Sequence, residues 1–195
     1  MGPELSENHL QKIALNLVER AVSAGASAAD VIAFEAEEFS AEVRLGKIEK
    51  LKEAASRALG LRLFRGVRSA TAFSSDFSEA SLARLVERTL EMAQATSEDP
   101  ASGLPEAKLL GKYPGDLDLY SADVGELAPE TRIEMARRAE AAALSADPRI
   151  KNSEGAWFES SQGCKAYANS LGFVGSYQTS YCAISVAPVA QDGGM

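Results

Sequence analysis

Histidine and cysteine, the residues that most often bind transition metals, are scarce in this sequence. His9 is the single histidine, and Cys164 and Cys182 are the two cysteines. Zinc hydrolases use two histidines one helical turn apart, so that both imidazoles face the ion. One histidine cannot supply that pair, and the two cysteines have no partners at metal-ligand spacing. We therefore predict no metal ligand among these 195 residues.

Motifs for nucleophilic catalysis and for phosphate binding are also missing. The sequence contains no Gly-x-Ser-x-Gly elbow, no Gly-x-Gly-x-x-Gly loop and no Walker motif. Glu35, Glu37 and Glu38 carry carboxylates that acid–base chemistry would need, but they lie on a predicted strand and have no matched partner. That position favours the interpretation that these three carboxylates lie on a solvated surface. We predict no catalytic and no cofactor-binding residue in this chain.

Aromatic residues recur near the end of the chain with the spacing of a strand. Phe173, Tyr177 and Tyr181 share one face of that strand, where they either pack on the sheet or line a peptide-binding groove. Packing is the preferred interpretation because aromatic residues favour strands. Trp157 and Phe158 are expected in the core or at an interface.

A hairpin turn predicted at residues 169–172 decides whether the cysteines can pair. It places Cys164 opposite a residue near Gln178 and not opposite Cys182. A direct cross-strand disulfide is therefore not expected, and both cysteines are predicted to be free thiols.

The composition is that of an ordinary globular protein with an acidic balance. The sequence has 46% hydrophobic residues, 20 basic and 28 acidic side chains, and a net charge of −8. An acidic chain repels phosphate backbones, so we expect no nucleic-acid partner. No apolar run approaches the ~18 residues of a membrane span, and the N-terminus lacks a signal peptide. We expect no membrane association and a cytoplasmic location.

Charge is distributed unevenly along the chain. Residues 44–68 contain eight basic and two acidic residues, a local charge of +6, whereas residues 69–148 contain 7 basic and 15 acidic residues, a local charge of −8. The basic stretch is either a solvated strand face, which protects a sheet edge from aggregation, or a docking surface for an acidic partner or peptide. The first interpretation is preferred, because such stripes are common on strands.

Hydrophobic periodicity predicts an α-β-β-β-α order in the first part of the chain. Apolar residues with helical spacing cover residues 6–24 and 79–95. Alternating apolar and polar residues predict three strands between them, at 30–45, 48–64 and 67–74. Short turns that contain glycine join these strands into an antiparallel meander, and two helices can cover one face of such a sheet.

The second part of the chain is predicted to be a helix followed by further strands. Residues 97–129 are rich in proline and glycine, which predicts a long connection. Helical periodicity covers residues 130–146, and strands are predicted at 155–160, 163–169 and 173–190.

These elements predict the α+β class. An antiparallel sheet with helices on one face is followed by a helix and a second antiparallel β unit. The expected domains are an α+β meander unit at 1–96 and a helix-plus-strand unit at 130–195, separated by the connection at 97–129. The sequence stops soon after a long strand and a turn signal, so we expect it to be truncated, the front part of a longer protein.

Several stretches resemble the N-terminal half of the TldD/PmbA family. They are residues 60–66 (GLRLFRG), 147–156 (DPRIKNSEGA), 168–177 (ANSLGFVGSY) and 189–193 (VAQDG). The similarity covers essentially the whole chain. The Asn-Ser-Glu-Gly-Ala and Ala-Asn-Ser-x-Gly-Phe elements point to the PmbA branch, also called TldE, rather than to TldD.

The resemblance implies a part in peptide cleavage. TldD and TldE form a heterodimeric zinc peptidase that takes flexible peptides into an internal cavity, and modulator of DNA gyrase is an older name for the family. The zinc motif, His-Glu-x-x-x-His, lies in TldD downstream of the region matched here, and PmbA-type subunits lack it. The resemblance therefore assigns no catalytic residue or metal ligand to this chain. Zinc is expected only in a TldD-type partner or in a C-terminal part.

Three functions remain open from the sequence alone. The first is the N-terminal region of a PmbA-like subunit that shapes a substrate chamber, contacts a TldD-like partner or a second copy of itself, and captures peptides by strand addition. The second is a non-enzymatic module that binds gyrase or another acidic partner. The third is an active TldD-like protease whose zinc motif lies beyond this chain.

Overall fold

The computed structural model describes residues 7–112, 115–191 and 193 of the chain. Four α-helices are described: α1 (Glu7–Ser23), α2 (Glu79–Ala95), α3 (Asp123–Glu126) and α4 (Pro129–Ser145). A 3₁₀ turn lies at Ala107–Leu109. The five described strands are β1 (Ala28–Arg44), β2 (Lys47–Arg65), β3 (Arg68–Ser74), β4 (Ile150–Asn169) and β5 (Val174–Ala190).

The three long helices form where apolar residues recur with helical spacing. Helix α2 matches its predicted bounds, and α4 begins and ends one residue before its predicted bounds. The predicted start of the first helix at Ser6 lies outside the described residues. None of the described helices is both long and apolar enough to cross a bilayer.

The five strands form one antiparallel sheet in the order β3-β2-β1-β4-β5. Strand β2 pairs with β3 from Leu59↔Ser74 to Arg65↔Arg68. The predicted α+β class is therefore confirmed. The strands expected to form a second β unit are β4 and β5, and β4 lies next to β1 in the same sheet. The Ser170 hydroxyl, for example, accepts a hydrogen bond from the Ala29 N–H, 141 positions away.

Strand β4 is continuous from Ile150 to Asn169, whereas the sequence predicts two strands, at 155–160 and 163–169. Gln162 interrupts the apolar alternation, but its side chain is satisfied because Nε2 donates to Glu37 at 3.0 Å. The turn predicted at residues 169–172 is confirmed. The Asn169 N–H donates to the Phe173 carbonyl at 3.0 Å, and the Gly172 N–H donates to the Asn169 carbonyl at 3.1 Å.

The chain divides into two compact units made of interleaved segments. Unit 1 combines residues 1–35, 56–119 and 163–178, and unit 2 combines residues 36–55, 120–162 and 179–195. The domain boundaries drawn from the sequence at 96 and 129 stay a prediction.

Each unit has its own apolar core. In unit 1, α1 and α2 pack against apolar strand residues that include Val31, Leu61 and Leu63. In unit 2, Ala136 of α4 packs with Phe39 and Phe158, whose ring centroids are 6.3 Å apart in an edge-on arrangement. Phe158 therefore lies in a core, as expected.

Candidate functional site

The histidine and the cysteines lie in unrelated environments. His9 is exposed on α1, Cys164 is buried and Cys182 is exposed, and both cysteines are free thiols, as predicted. Burial raises the pKa of the Cys164 thiol to about 11, and the charges of Glu7 and Glu35 add to this effect. A thiol with this pKa stays protonated at neutral pH and is a weak nucleophile. Among the described residues, no three His, Cys, Asp or Glu side chains are grouped so that they could hold a metal ion.

The three carboxylates of β1 have separate surroundings. Glu35 is only 7% exposed, so the prediction of a solvated surface is wrong for this residue. It is buried because the odd-numbered residues in the first half of β1, such as Val31 and Ala33, face the core of unit 1. Glu37 accepts the hydrogen bond from Gln162, and Glu38 pairs with Lys52 Nζ at 2.9 Å. The contacts of Glu37 and Glu38 tie β1 to its neighbours, which is a structural role.

Most cations of the basic segment, residues 44–68, have acidic partners. The pairs in the described part of the chain are Arg44–Glu49, Lys50–Glu42, Lys52–Glu38, Arg62–Asp30 and Arg68–Glu98. The Arg57 guanidinium lies 5.1 Å from the centroid of the Phe77 ring. Within the described residues, Lys47 and Arg65 have no acidic partner within 4.0 Å. This pairing fits a solvated strand face better than a docking surface along the whole segment.

Asp30 is a buried acidic partner of the basic segment, and it lies in unit 1. Its side chain is 8% exposed and accepts two hydrogen bonds from Arg62, from Nε at 3.0 Å and from Nη2 at 2.5 Å. The Tyr167 hydroxyl also donates to Asp30, at 3.1 Å. The hydrogen bonds to Asp30 raise the pKa of Arg62. The three residues connect β1, β2 and β4.

The aromatic residues near the end of the chain do not share one environment. Phe173 packs on Tyr167 with ring centroids 5.9 Å apart, which is ordinary sheet packing. Tyr181 of unit 2 is instead 56% exposed. It lines a depression of about 250 Å³, together with side chains that include Glu38, Lys52 and Glu159.

Strand β5 is an edge of the sheet without charged side chains. It has a neighbour in the described sheet on one side only, β4. No Asp, Glu, Lys, Arg or His occurs between Ala166 and Gln191. Two large side chains of β5 are exposed, Ile184 at 49% and Tyr181 at 56%. Natural edge strands usually carry charges, above all lysine, that prevent pairing with another strand. Before Pro188, which cannot donate a main-chain hydrogen bond, the edge of β5 therefore has the properties of a surface on which an extended chain can be added.

The turn between β1 and β2 is held by a buried carboxylate. Leu45 and Gly46 both have positive φ, at 47° and 77°, as a two-residue hairpin of the I′ type requires. Glu140 of α4 is 1% exposed, and its carboxylate accepts the Leu45 N–H at 2.9 Å and the Gly46 N–H at 2.8 Å. Sequence reasoning did not select Glu140. The available signal was its position four residues after Ala136, on the inward face of the helix.

Two models of one family match this chain. The model of PmbA/TldA metallopeptidase domain 1 covers residues 29–93, and the model of the PmbA/TldA metallopeptidase central domain covers residues 122–195. The chain belongs to the PmbA/TldD family. This confirms the resemblance seen in the sequence.

Curated relatives place the chain on the PmbA side of the family. It is 37% identical to the metalloprotease PmbA of Escherichia coli O157:H7, over 80% of this chain and 34% of that protein. It is also 37% identical to a metalloprotease PmbA homologue of Haemophilus influenzae, over 94% of this chain and 40% of that protein. The chain thus spans about a third to two fifths of the length of these relatives.

Solved structures share the fold of the chain. TldE from Thermococcus kodakarensis superposes with a TM-score of 0.80 and 18% identity, over 92% of this chain and 39% of that one. A Bacteroides thetaiotaomicron protein described as a modulator of DNA gyrase superposes with a TM-score of 0.86 and 23% identity, over 98% of this chain and 43% of that one. At these identities the likeness concerns the fold alone.

Proposed function

We propose that this chain is the N-terminal and central part of a PmbA/TldE-type subunit that acts with a zinc-bearing TldD-type partner to cleave flexible peptides. In this proposal the chain forms part of the substrate chamber and of the subunit interface in the cytoplasm. The zinc and the catalytic residues belong to the partner. Membership of the PmbA/TldD family supports this assignment.

The observation that carries the peptide-handling role is the uncharged edge of β5. A strand added at an edge is held by main-chain hydrogen bonds, which every peptide can make. Side chains of the edge strand then set the preference among peptides. Because β5 contributes no charge, it accepts extended segments with little regard to their charge, as a chamber for varied flexible peptides requires.

The first experiment mixes the full-length protein with a TldD-type subunit from the same organism. Light scattering is expected to detect a complex, and the complex is expected to cleave a fluorescein-labelled peptide rich in Gly, Ser and Gln, a composition that stays unfolded. Neither subunit alone is expected to cleave it. If no complex forms, the proposed function is wrong.

The role of the β5 edge is tested by Ile184→Lys, which places a charge on the edge. Its matched control is Ile32→Lys, because Ile32 is 48% exposed but lies on β1, in the middle of the sheet. We expect Ile184→Lys to weaken binding of the labelled peptide to the full-length protein about tenfold. This is the loss in affinity that follows when one good interface contact is removed. Ile32→Lys should leave this binding unchanged. Equal effects of both changes, measured by fluorescence anisotropy, would contradict a role of the edge.

The two alternative functions have separate tests. The non-enzymatic module depends on a free basic surface, and the internal contacts of Arg57 and Arg62 do not favour it. Reversing the charge of Arg65, which has no acidic partner among the described residues, should leave partner binding intact. A His-Glu-x-x-x-His motif in the remaining gene sequence would instead favour an active TldD-like protease.

A further inference from the structure

The tip of the β1–β2 hairpin, residues 44–51, exposes a set of large aliphatic side chains. Leu45 is 56% exposed, Ile48 44% and Leu51 56%. Single exposed aliphatic residues are ordinary on protein surfaces, but three large ones within seven residues at a hairpin tip make that tip a candidate contact surface.

The residue at the first turn position is unexpected. Type I′ turns strongly prefer asparagine, aspartate or glycine where φ is positive, because a larger side chain crowds the backbone there. Leu45 nevertheless adopts φ 47°. A leucine in this conformation weakens the turn, so its side chain must be needed for something other than forming the hairpin.

The structure compensates for this leucine with buried hydrogen bonds. The carboxylate of Glu140 binds both turn N–H groups, and Arg44 Nε donates to the Ser153 carbonyl at 3.0 Å beside the turn. All these residues belong to unit 2. The tip is therefore held in one conformation before any partner arrives, which lowers the entropy lost on binding.

The charges around the tip indicate an acidic partner. The Lys50 side chain is 77% exposed, and its ammonium group pairs at 2.8 Å with Glu42, whose side chain is 12% exposed. Lys52 is likewise more exposed than Glu38, at 61% against 48%. Lys47 has no acidic partner among the described residues. Residues 44–51 contain Arg44, Lys47 and Lys50 against the single acid Glu49, so the tip carries a net positive charge.

We propose that the hairpin tip is a docking surface for an apolar, acid-rimmed patch on the TldD-type subunit, with Leu45 as its central contact. This inference rests on the proposed function, because it names the place where that partner binds.

The decisive variant is Leu45→Asn in the full-length protein. Asparagine accepts the positive φ well, so the variant removes the aliphatic contact without damaging the turn. The matched control is Leu171→Asn, because Leu171 is 46% exposed in the turn that joins β4 and β5. We expect Leu45→Asn to leave the thermal midpoint equal or higher and to weaken the complex with the TldD-type subunit at least about tenfold. Leu171→Asn should bind like the unaltered protein.

A charge variant tests the rim of the same surface. Lys47→Glu is expected to slow association with the TldD-type subunit, and the difference from the unaltered protein should shrink as salt is added. If the unaltered protein binds the subunit and Leu45→Asn binds it equally well, this inference is overturned while the proposed function stands. If the unaltered protein binds no TldD-type subunit, both fail together.

Discussion

Glu140 occupies a position that an apolar side chain would fill in most amphipathic helices. It lies on the inward face of α4, four residues after Ala136, and is 1% exposed. A buried carboxylate is tolerated only where hydrogen bonds replace its lost water. The N–H groups of Leu45 and Gly46 supply that replacement, at 2.9 and 2.8 Å. One side chain thereby joins α4 to the β1–β2 turn.

Replacing Glu140 by glutamine should destabilise the protein. The amide keeps one acceptor oxygen but turns an NH₂ group toward one of the two N–H donors, which leaves that donor unsatisfied. We expect the free energy of unfolding in urea to fall by about 1–3 kcal/mol. Glu134→Gln on the exposed face of α4 is the control and should change it by less than about 0.5 kcal/mol. Equal losses in the two variants would show that the buried bonds contribute nothing.

The Cys164 thiol makes stability depend on alkaline pH. Its pKa in the folded protein is raised from 9.0 to about 11, mainly by burial. Above pH 9.0 the unfolded chain loses this proton while the folded chain keeps it, so unfolding is increasingly favoured. This contribution is fully present below pH 9.0 and is lost as the pH rises toward about 11.

The variant Cys164→Ala isolates that effect. Between pH 8 and pH 10.5 the unaltered protein should lose more stability than the variant, since other groups titrate equally in both. Urea midpoints at several pH values measure the difference. Parallel pH profiles for the two proteins would rule out a thiol that is protonated by burial.

At the scale of elements, the Asp30 cluster holds three strands together. Asp30 of β1 binds Arg62 of β2 and Tyr167 of β4. Replacing Arg62 by methionine keeps the aliphatic stem but leaves a nearly buried carboxylate without its cation. Because the Arg62 side chain is 45% exposed, solvent reduces the cost, and we expect a loss of about 1–2 kcal/mol in the free energy of unfolding.

The comparison for this prediction is Arg20→Met. Arg20 pairs with Glu79, whose side chain is 77% exposed, so its loss should cost no more than about 1 kcal/mol. Adding Asp30→Asn to Arg62→Met should recover part of the lost stability, because the unpaired charge is then gone. No recovery in that double variant would mean that Arg62 acts through packing alone.

The bounds of single helices and strands were predictable because the hydrophobic periodicity that indicates each element lies within that element's own residues. The bounds of α2 agree at both ends, and β3 begins one residue after its predicted start. The pairing of β1 with β4 was not predictable in this way, because it brings together residues as far apart in the sequence as Asp30 and Tyr167. The continuity of β4 was missed because the partner that satisfies Gln162 is equally remote in sequence.

At the scale of the whole molecule, the family was predictable and the organisation into units was not. The stretch around Asn169 is distinctive enough to indicate the family, which the family models then confirmed. No single boundary in the sequence separates the two compact units. Strand β1 contributes residues up to Glu35 to one unit and residues from Ala36 to the other. The candidate surfaces were predictable only in part: the exposed Tyr181 was singled out, but Glu140 and Leu45 were not.

The net charge of −8 describes the surface of this molecule poorly. Among the described residues, ion pairs bind four of the eight cations of residues 44–68 to acids outside that segment, and a fifth, Arg44, pairs with Glu49 inside it. The acidic excess of residues 69–148 remains. A molecule with this balance repels acidic proteins in general, so approach of an acidic partner through the hairpin tip would be selective.

The absence of charge from β5 also determines how this part of the chain can be studied. Trypsin cleaves after lysine and arginine, and Lys165 is the last such residue in the sequence. A tryptic digest therefore carries the end of β4, the following turn and all of β5 in a single peptide, which also contains the exposed Tyr181 and Ile184. Mapping that edge by crosslinking or by hydrogen exchange requires an enzyme that cuts at aromatic or aliphatic residues.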